Sequence, residues 1–206
     1  ASVSDPLRHL SRDERRALLA LARRAVQACL AALPGPEVGS QPTRLRMRQD
    51  AFVTLRVRRE LRGCIGIMEG ADSLAETVIR CAAAAATEDP RFTPLDPAEL
   101  PDLSIEVSAL RPPVRVPDPS RIVLGRDGLR VTRGGRRGVL LPQVAVEQGW
   151  DLETFVRECC LKAGLPPDAV QQGATLEAFS AEVFSEDEEE ATRPRPGFPR
   201  RSPAPS

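Results

Sequence analysis

The 206 residues carry 29 basic against 29 acidic side chains, a formal net charge of +0, so no global field draws the chain toward nucleic acid or a membrane surface. Hydrophobic residues at 41% and charged residues at 28% suit one soluble globular domain, with room for two lobes. No apolar run reaches the roughly 18 residues of a membrane span, no basic-then-apolar leader opens the sequence, and the 5 scattered cysteines do not read as a disulfide framework, so a cytoplasmic protein with reduced thiols is the expectation.

Residues 1–10 read as a loose lead-in. Ser11-Arg12-Asp13-Glu14 fits a capping box, and Leu18, Leu21, Ala25 and Cys29 then recur at helical spacing, which predicts a helix that buries one stripe and exposes its arginines. Pro34-Gly35-Pro36 is the expected stop. Ala51–Val57 is rich in β-branched residues and reads as a strand. Arg58-Arg59-Glu60 is a break of hairpin length, and residues 61–67 form the expected return strand.

That return strand contains Leu61-Arg62-Gly63-Cys64-Ile65-Gly66, the one place where a thiol, a cation and two glycines crowd together. In an extended chain Leu61, Gly63 and Ile65 face the core, and Arg62, Cys64 and Gly66 face away. This puts a guanidinium beside the thiol, and a neighbouring cation favours the thiolate, the nucleophilic form. On pattern alone Cys64 reads equally as a small buried hydrophobe, and the glycines as bulge markers; both readings stay open.

Ser73-Leu74-Ala75-Glu76 is a second capping box, and Leu74, Val78, Cys81, Ala82 and Ala85 give a second helix its apolar face. Glu88-Asp89-Pro90-Arg91-Phe92 ends it, since Pro90 disfavours helical geometry at Asp89. Residues 103–109 alternate: Leu103, Ile105 and Val107 toward the core, Ser104, Glu106 and Ser108 on the other face. Residues 121–124 and 129–132, flanking Gly125-Arg126-Asp127-Gly128, read as a hairpin. The basic turn Arg133-Gly134-Gly135-Arg136-Arg137-Gly138 could grip phosphates, but with only 3% aromatics no stacking platform accompanies it. A short strand closed by Pro142, a brief helical turn over 143–149, and a third clear helix capped by Asp151 follow. A last strand over 176–184 places Phe179, Ala181 and Val183 on one face. From residue 187 the acidic and then Pro/Arg-rich composition reads as a disordered tail.

His9 is the sole histidine, which argues against Ser-His-Asp and Cys-His arrangements and against His-rich metal sites. No cofactor or metal site is expected. Acid–base work, if any, falls to Glu, Asp or cysteine.

Leu61-Arg62-Gly63-Cys64-Ile65-Gly66 resembles the signature hexapeptide of the AMMECR domain family, whose prokaryotic members are called AmmeMemoRadiSam system protein A. Asp89-Pro90-Arg91-Phe92, Ile105-Glu106-Val107-Ser108, Leu140-Leu141-Pro142-Gln143 and the segment from Gly149-Trp150 to Lys162-Ala163-Gly164-Leu165-Pro166 match its pattern in order. The resemblance covers residues 11–186. It implies an α+β fold with a mostly antiparallel sheet, packed helices and two unequal lobes around a cleft near the hexapeptide. It also implies a Memo-like protein and a radical S-adenosylmethionine enzyme as partners. The expected catalytic set is Cys64, Arg62, Glu106 and Asp89. Leu61, Gly63, Ile65, Gly66, Arg91, Phe92 and Gln143 are the expected binding residues. Two main readings follow: an accessory subunit of a modification system with a functional cysteine, or a thiol-dependent enzyme with Cys64 as nucleophile. The third, an arginine-turn nucleic-acid module, carries least.

Overall fold

The structure is a computed structural model, and it describes residues 8–68 and 70–191. Among these, no helix is long and apolar enough to cross a membrane. The fold is α+β, built on a curled antiparallel sheet of seven strands.

Helix α1 (Arg12–Leu30) opens on the expected capping box, in which Ser11 Oγ accepts from the Glu14 N–H and the Glu14 carboxylate accepts from the Ser11 N–H. Its buried stripe includes Leu18, Leu21, Ala25 and Val26. The helix ends before the prolines, with Ala32 already in the left-handed region at φ 53°. Strands β1 (Ala51–Val57) and β2 (Glu60–Ile67) form the expected hairpin. Helix α2 (Leu74–Thr87) repeats the capping box at Ser73 and Glu76. It lays Leu74, Val78, Cys81, Ala82 and Ala85 into a core shared with α1, β1 and β3 (Leu103–Leu110).

The chain then crosses to a second core through the short β4 (Val114–Arg115). Strands β5 (Asp127–Arg133) and β6 (Arg136–Leu140) are followed by helices α3 (Pro142–Gln148) and α4 (Leu152–Lys162). Here Leu129, Val131, Phe155, Val156, Cys159 and Leu176 pack together. The long β7 (Thr175–Ser185) joins the two cores: its first half pairs with β5 and its last five residues with β3. Strand order is β2-β1-β3-β7-β5-β6, with β4 beside β7, and every pairing is antiparallel among the described residues.

Three expectations need correction. The hairpin turn is at Gly134-Gly135, both left-handed, between β5 and β6. At Gly125-Arg126-Asp127-Gly128 the Asp127 carboxylate instead accepts from the Val123 N–H and from Arg126, closing a loop rather than a hairpin. The arginines of the real turn are tied back locally, Arg133 to Gln172 and Arg136 to the Gly164 carbonyl. β7 itself forms as expected, with Phe179, Ala181 and Val183 on one face, while Leu176 and Phe184 on the other enter the two cores. The acidic block, expected to begin the disordered tail, forms helix α5 (Glu186–Ala191). Glu186 takes both Arg23 Nε and Nη2 at 2.6 Å and the Ile105 N–H at 3.0 Å, and Glu189 pairs with Arg12 and Arg16. Opposite charges on α1 thus order a segment that composition alone leaves unfolded. Residues 192–206, the rest of that expectation, lie outside the described residues, as do residues 1–7 of the lead-in.

The third correction bears on the hexapeptide. Leu55 pairs with Gly63, but the next residue, Arg56, pairs with Leu61. Arg62 is therefore the extra residue of a β-bulge, and alternation breaks there.

Candidate functional site

One face of β1 and β3 is spent on the α1/α2 core: Val53, Leu55, Ile105 and Val107 are fully buried. Period-two alternation sends Phe52, Thr54, Arg56, Glu106 and Ser108 to the other face. There they floor a cavity of about 1080 Å³. Leu61 and Cys64 of β2 and Ala181 and Val183 of β7 extend the floor, and the 124–126 loop and the start of α3 (Leu141, Pro142, Gln143, Val144) wall it.

The registers align three chemically distinct side chains. Thr54 pairs with Cys64 on one side and with Glu106 on the other, so thiol, hydroxyl and carboxylate form one row across β2, β1 and β3. The Thr54 hydroxyl donates to Cys64 Sγ at 3.4 Å. Glu106 is half-buried and has no hydrogen bond or ion pair among the described residues.

β2 is an edge strand, and its backbone at Cys64 is engaged by side chains instead of another strand. The Cys64 N–H donates to Asp89 Oδ2 at 2.8 Å, and Arg91 Nη2 donates to the Cys64 carbonyl at 3.4 Å. Arg91 also grips Asp89 with Nε at 3.0 Å and Nη2 at 2.7 Å, its own N–H adds a bond to Oδ1, and its guanidinium lies over the Phe92 ring at 5.4 Å. Asp89 is 4% exposed. The Arg91 guanidinium, helped by the Cys64 N–H, holds its carboxyl well below the usual carboxylate range despite burial. Asp89 therefore does not exchange a proton near neutral pH; it positions Cys64 and Arg91.

The structure gathers Leu61, Cys64, Arg91, Glu106 and Gln143 of the expected residues around one cavity. Arg62 is not among them. As the bulged residue it turns away, donating to both Glu99 oxygens at 2.8 and 2.9 Å and to the carbonyls of Thr93 and Pro94. The cation next to the thiol is Arg91, whose guanidinium is pushed up chiefly by Asp89 with a further contribution from Cys64. Leu61, expected on the core side, comes round to the cavity because of the same bulge. Ile65 packs on the first core as expected. The glycines are spacers: a Cβ on Gly63 would lie 2.1 Å from the Ala85 carbonyl oxygen of α2, and one on Gly66 would lie 2.1 Å from the Phe52 ring. Phe52, Thr54, Arg56, Arg126 and, of the α3 residues, Val144 and Glu147 are not singled out by the sequence. The alternation of β1 was the available signal for the first three; the α3 wall depends on a tertiary packing that no local pattern encodes.

Arg126 is neutralised by Asp127, whereas half-buried Arg56 has no ion pair or hydrogen-bond partner among the described residues. No group of three or more His, Cys, Asp or Glu side chains converges as a metal site among the described residues. Cys81, Cys159 and Cys160 are set apart by burial, which pushes Cys81 up to about 11 and Cys159 up to about 12.

Residues 19–184 match the model of the AMMECR1 family. A protein of Methanothermobacter thermautotrophicus is 46% identical over 86% of this chain and 97% of its own length. The protein MK0488 of Methanopyrus kandleri is 43% identical over 88% of this chain and 92% of its own. The crystal structure of the uncharacterized protein PH0010 from Pyrococcus horikoshii superposes with a TM-score of 0.71 at 41% identity, covering 82% of this chain and 90% of that one. With the family model spanning most of the chain and relatives above 40% identity over nearly their whole length, this chain belongs to the AMMECR1 family.

Proposed function

We propose that the chain is an accessory subunit of a cytoplasmic modification system, binding a small organic molecule in this cavity with Cys64 in its wall. The two cores would serve as unequal lobes and the cavity as the cleft between them. The observation that carries this is the Cys64–Thr54–Glu106 row on the floor of a cavity of about 1080 Å³, a size suited to a drug-sized ligand. The sheet supplies a rigid floor, and apolar walls with a few convergent polar groups are the usual make-up of such sites. The resemblance noted above supplies the partners, a Memo-like protein and a radical S-adenosylmethionine enzyme.

Two measurements test this. A tagged chain co-expressed with each partner is expected to retain at least one under reducing conditions; recovery of neither overturns the accessory role. Treatment of the native protein with iodoacetamide is expected to label Cys64; labelling only after unfolding overturns a ligand site at this thiol.

The hydrogen bond from Thr54 to Cys64 Sγ favours a second reading, a thiol-dependent enzyme. Cys64 sulfur would add to an electrophilic carbonyl carbon, the C=O π pair moving to oxygen and the thiol proton passing to Glu106. A covalent adduct on Cys64 in protein recovered from cells, absent from Cys64→Ser, would support it; an unmodified mass throughout turnover-competent lysate would reject it.

A further inference from the structure

Of the five charged side chains around the cavity, two are paired, one stands at the solvated rim, and two are half-buried on the floor. Arg91 is held by Asp89 and Arg126 by Asp127. Glu147 and Gln143 stand exposed on α3, at the solvated rim. Arg56 and Glu106 remain, both half-buried on the floor and neither with a hydrogen bond or ion pair among the described residues. Their places in the sheet are fixed: Thr54 pairs with Glu106 and Arg56 with Ser104, so Arg56 and Glu106 are diagonal neighbours on one face. Diagonal pairs sit about 7–8 Å apart, within reach of two long side chains, yet the structure leaves the guanidinium and the carboxylate apart.

We infer that the ligand of this cavity is a zwitterion of the amino-acid type, its carboxylate on Arg56 and its ammonium on Glu106. The inference rests on the binding reading above and names the ligand's chemistry. Half-buried charges are costly unless paired. An anion with no amine would satisfy Arg56 and leave Glu106 enclosed without a partner; an amine with no carboxylate would do the reverse. A molecule carrying both groups a few ångströms apart completes both at once, through charge-assisted hydrogen bonds. Phe52, Leu110, Leu124, Leu141, Val144 and Val183 would enclose its apolar body. A volume of about 1080 Å³ leaves room for a body larger than an aliphatic side chain. The head group then lies along the row that ends at Cys64, within the same cavity.

The test uses three probes of one shape: L-tryptophan, tryptamine, which lacks the carboxylate, and indole-3-propionate, which lacks the amine. The readout is the rate at which iodoacetamide labels Cys64 in the native full chain, followed by peptide mass spectrometry. L-Tryptophan at about 10 mM is expected to slow labelling roughly threefold, as a dissociation constant of about 5 mM requires, and the other two to leave it unchanged. Arg56→Met and Glu106→Gln are each expected to abolish the protection, one lost charge-assisted contact weakening affinity about tenfold or more. Both variants should keep the wild-type unfolding midpoint within a few degrees, which separates loss of binding from loss of fold. Equal protection by either half-molecule, or protection that survives both substitutions, overturns the zwitterion. Free labelling of Cys64 that none of the three probes slows also overturns it, while leaving an accessible site in place. Absence of Cys64 labelling in the folded protein overturns the underlying site itself.

Discussion

Asp89→Ala is the most informative single change, because Asp89 links the edge of the sheet to the cation beside the thiol. Its carboxylate accepts from the Cys64 N–H, the Arg91 N–H and the Arg91 guanidinium. Truncation strands the Cys64 N–H, and a buried donor left unsatisfied costs about 1–3 kcal/mol. The Arg91 side chain is 55% exposed, so water recovers much of what the guanidinium loses, and that part is worth no more than about 1 kcal/mol. The expected total is about 3 kcal/mol, a large share of the roughly 5–15 kcal/mol of a whole domain. Asp89→Asn keeps an acceptor for Cys64 and loses the charge, so it should cost about half as much. Urea unfolding at neutral pH, read as the midpoint shift at constant slope, measures both. The acid limb follows from the direction of the titration shift. The folded carboxyl sits below its unfolded value, so between the two the unfolded chain binds more protons and stability rises with pH. The contribution is complete above the unfolded value of about 3.9 and is lost as pH falls below it toward the folded one. Asp89→Asn should flatten the loss of stability in that range. A cost below about 1 kcal/mol for Asp89→Ala, or an unchanged acid limb in Asp89→Asn, would refute the role given to this residue.

Three further outcomes are expected. Iodoacetamide at pH 8 should label Cys64 and half-buried Cys29 in the native protein but not Cys81, Cys159 or Cys160, which are buried and whose thiols are pushed up by that burial; early mass-spectrometric detection of label on Cys159 would contradict the second core. Gly63→Ala should destabilise by about 1–3 kcal/mol, since its Cβ meets rigid α2 backbone, whereas Gly66→Ala meets only the Phe52 ring and should push that ring into the cavity, slowing Cys64 labelling with a smaller change in urea midpoint. Glu186→Ala, which removes the acceptor of Arg23 and of the Ile105 N–H, should cost about 1–3 kcal/mol by urea unfolding, while Asp187→Ala should stay within about 0.5 kcal/mol.

Local signals carried the elements well. Both capping boxes formed as read, because Ser and Glu three apart need only each other and the backbone between them. Ala51–Val57 and residues 103–109 declared their buried faces through alternation, and so also, indirectly, the face that floors the cavity. The failures share a cause. A bulge depends on the register with a partner strand, so nothing in Leu61-Arg62-Gly63 announces that Arg62 will be the extra residue. The Gly125–Gly128 stretch has turn chemistry, but the Asp127 side chain uses it to close a loop onto Val123. The order in α5 comes from arginines more than 160 positions earlier in the chain. In each case a long-range partner decided what a local pattern left open.

The treatment of the β2 edge constrains how anything approaches Cys64. An uncovered edge strand invites pairing with a foreign strand through its free N–H and C=O groups. At Cys64 both groups are already engaged, the N–H by Asp89 and the carbonyl by Arg91, and Arg62 swings out from the bulge to fix the neighbouring segment through Glu99. Addition of a partner strand would have to displace a bidentate ion pair whose acid is buried. The side chain of Cys64 is not committed in this way: the Thr54 hydroxyl on the cavity floor donates to its Sγ. The edge is thus closed to backbone recognition while the sulfur faces a cavity, and a molecule that reaches this residue does so from the open face of the sheet. That geometry favours a ligand recognised by its functional groups over a partner recognised by its main chain, and it makes Arg91, not Arg62, the cation such a ligand would meet beside the thiol.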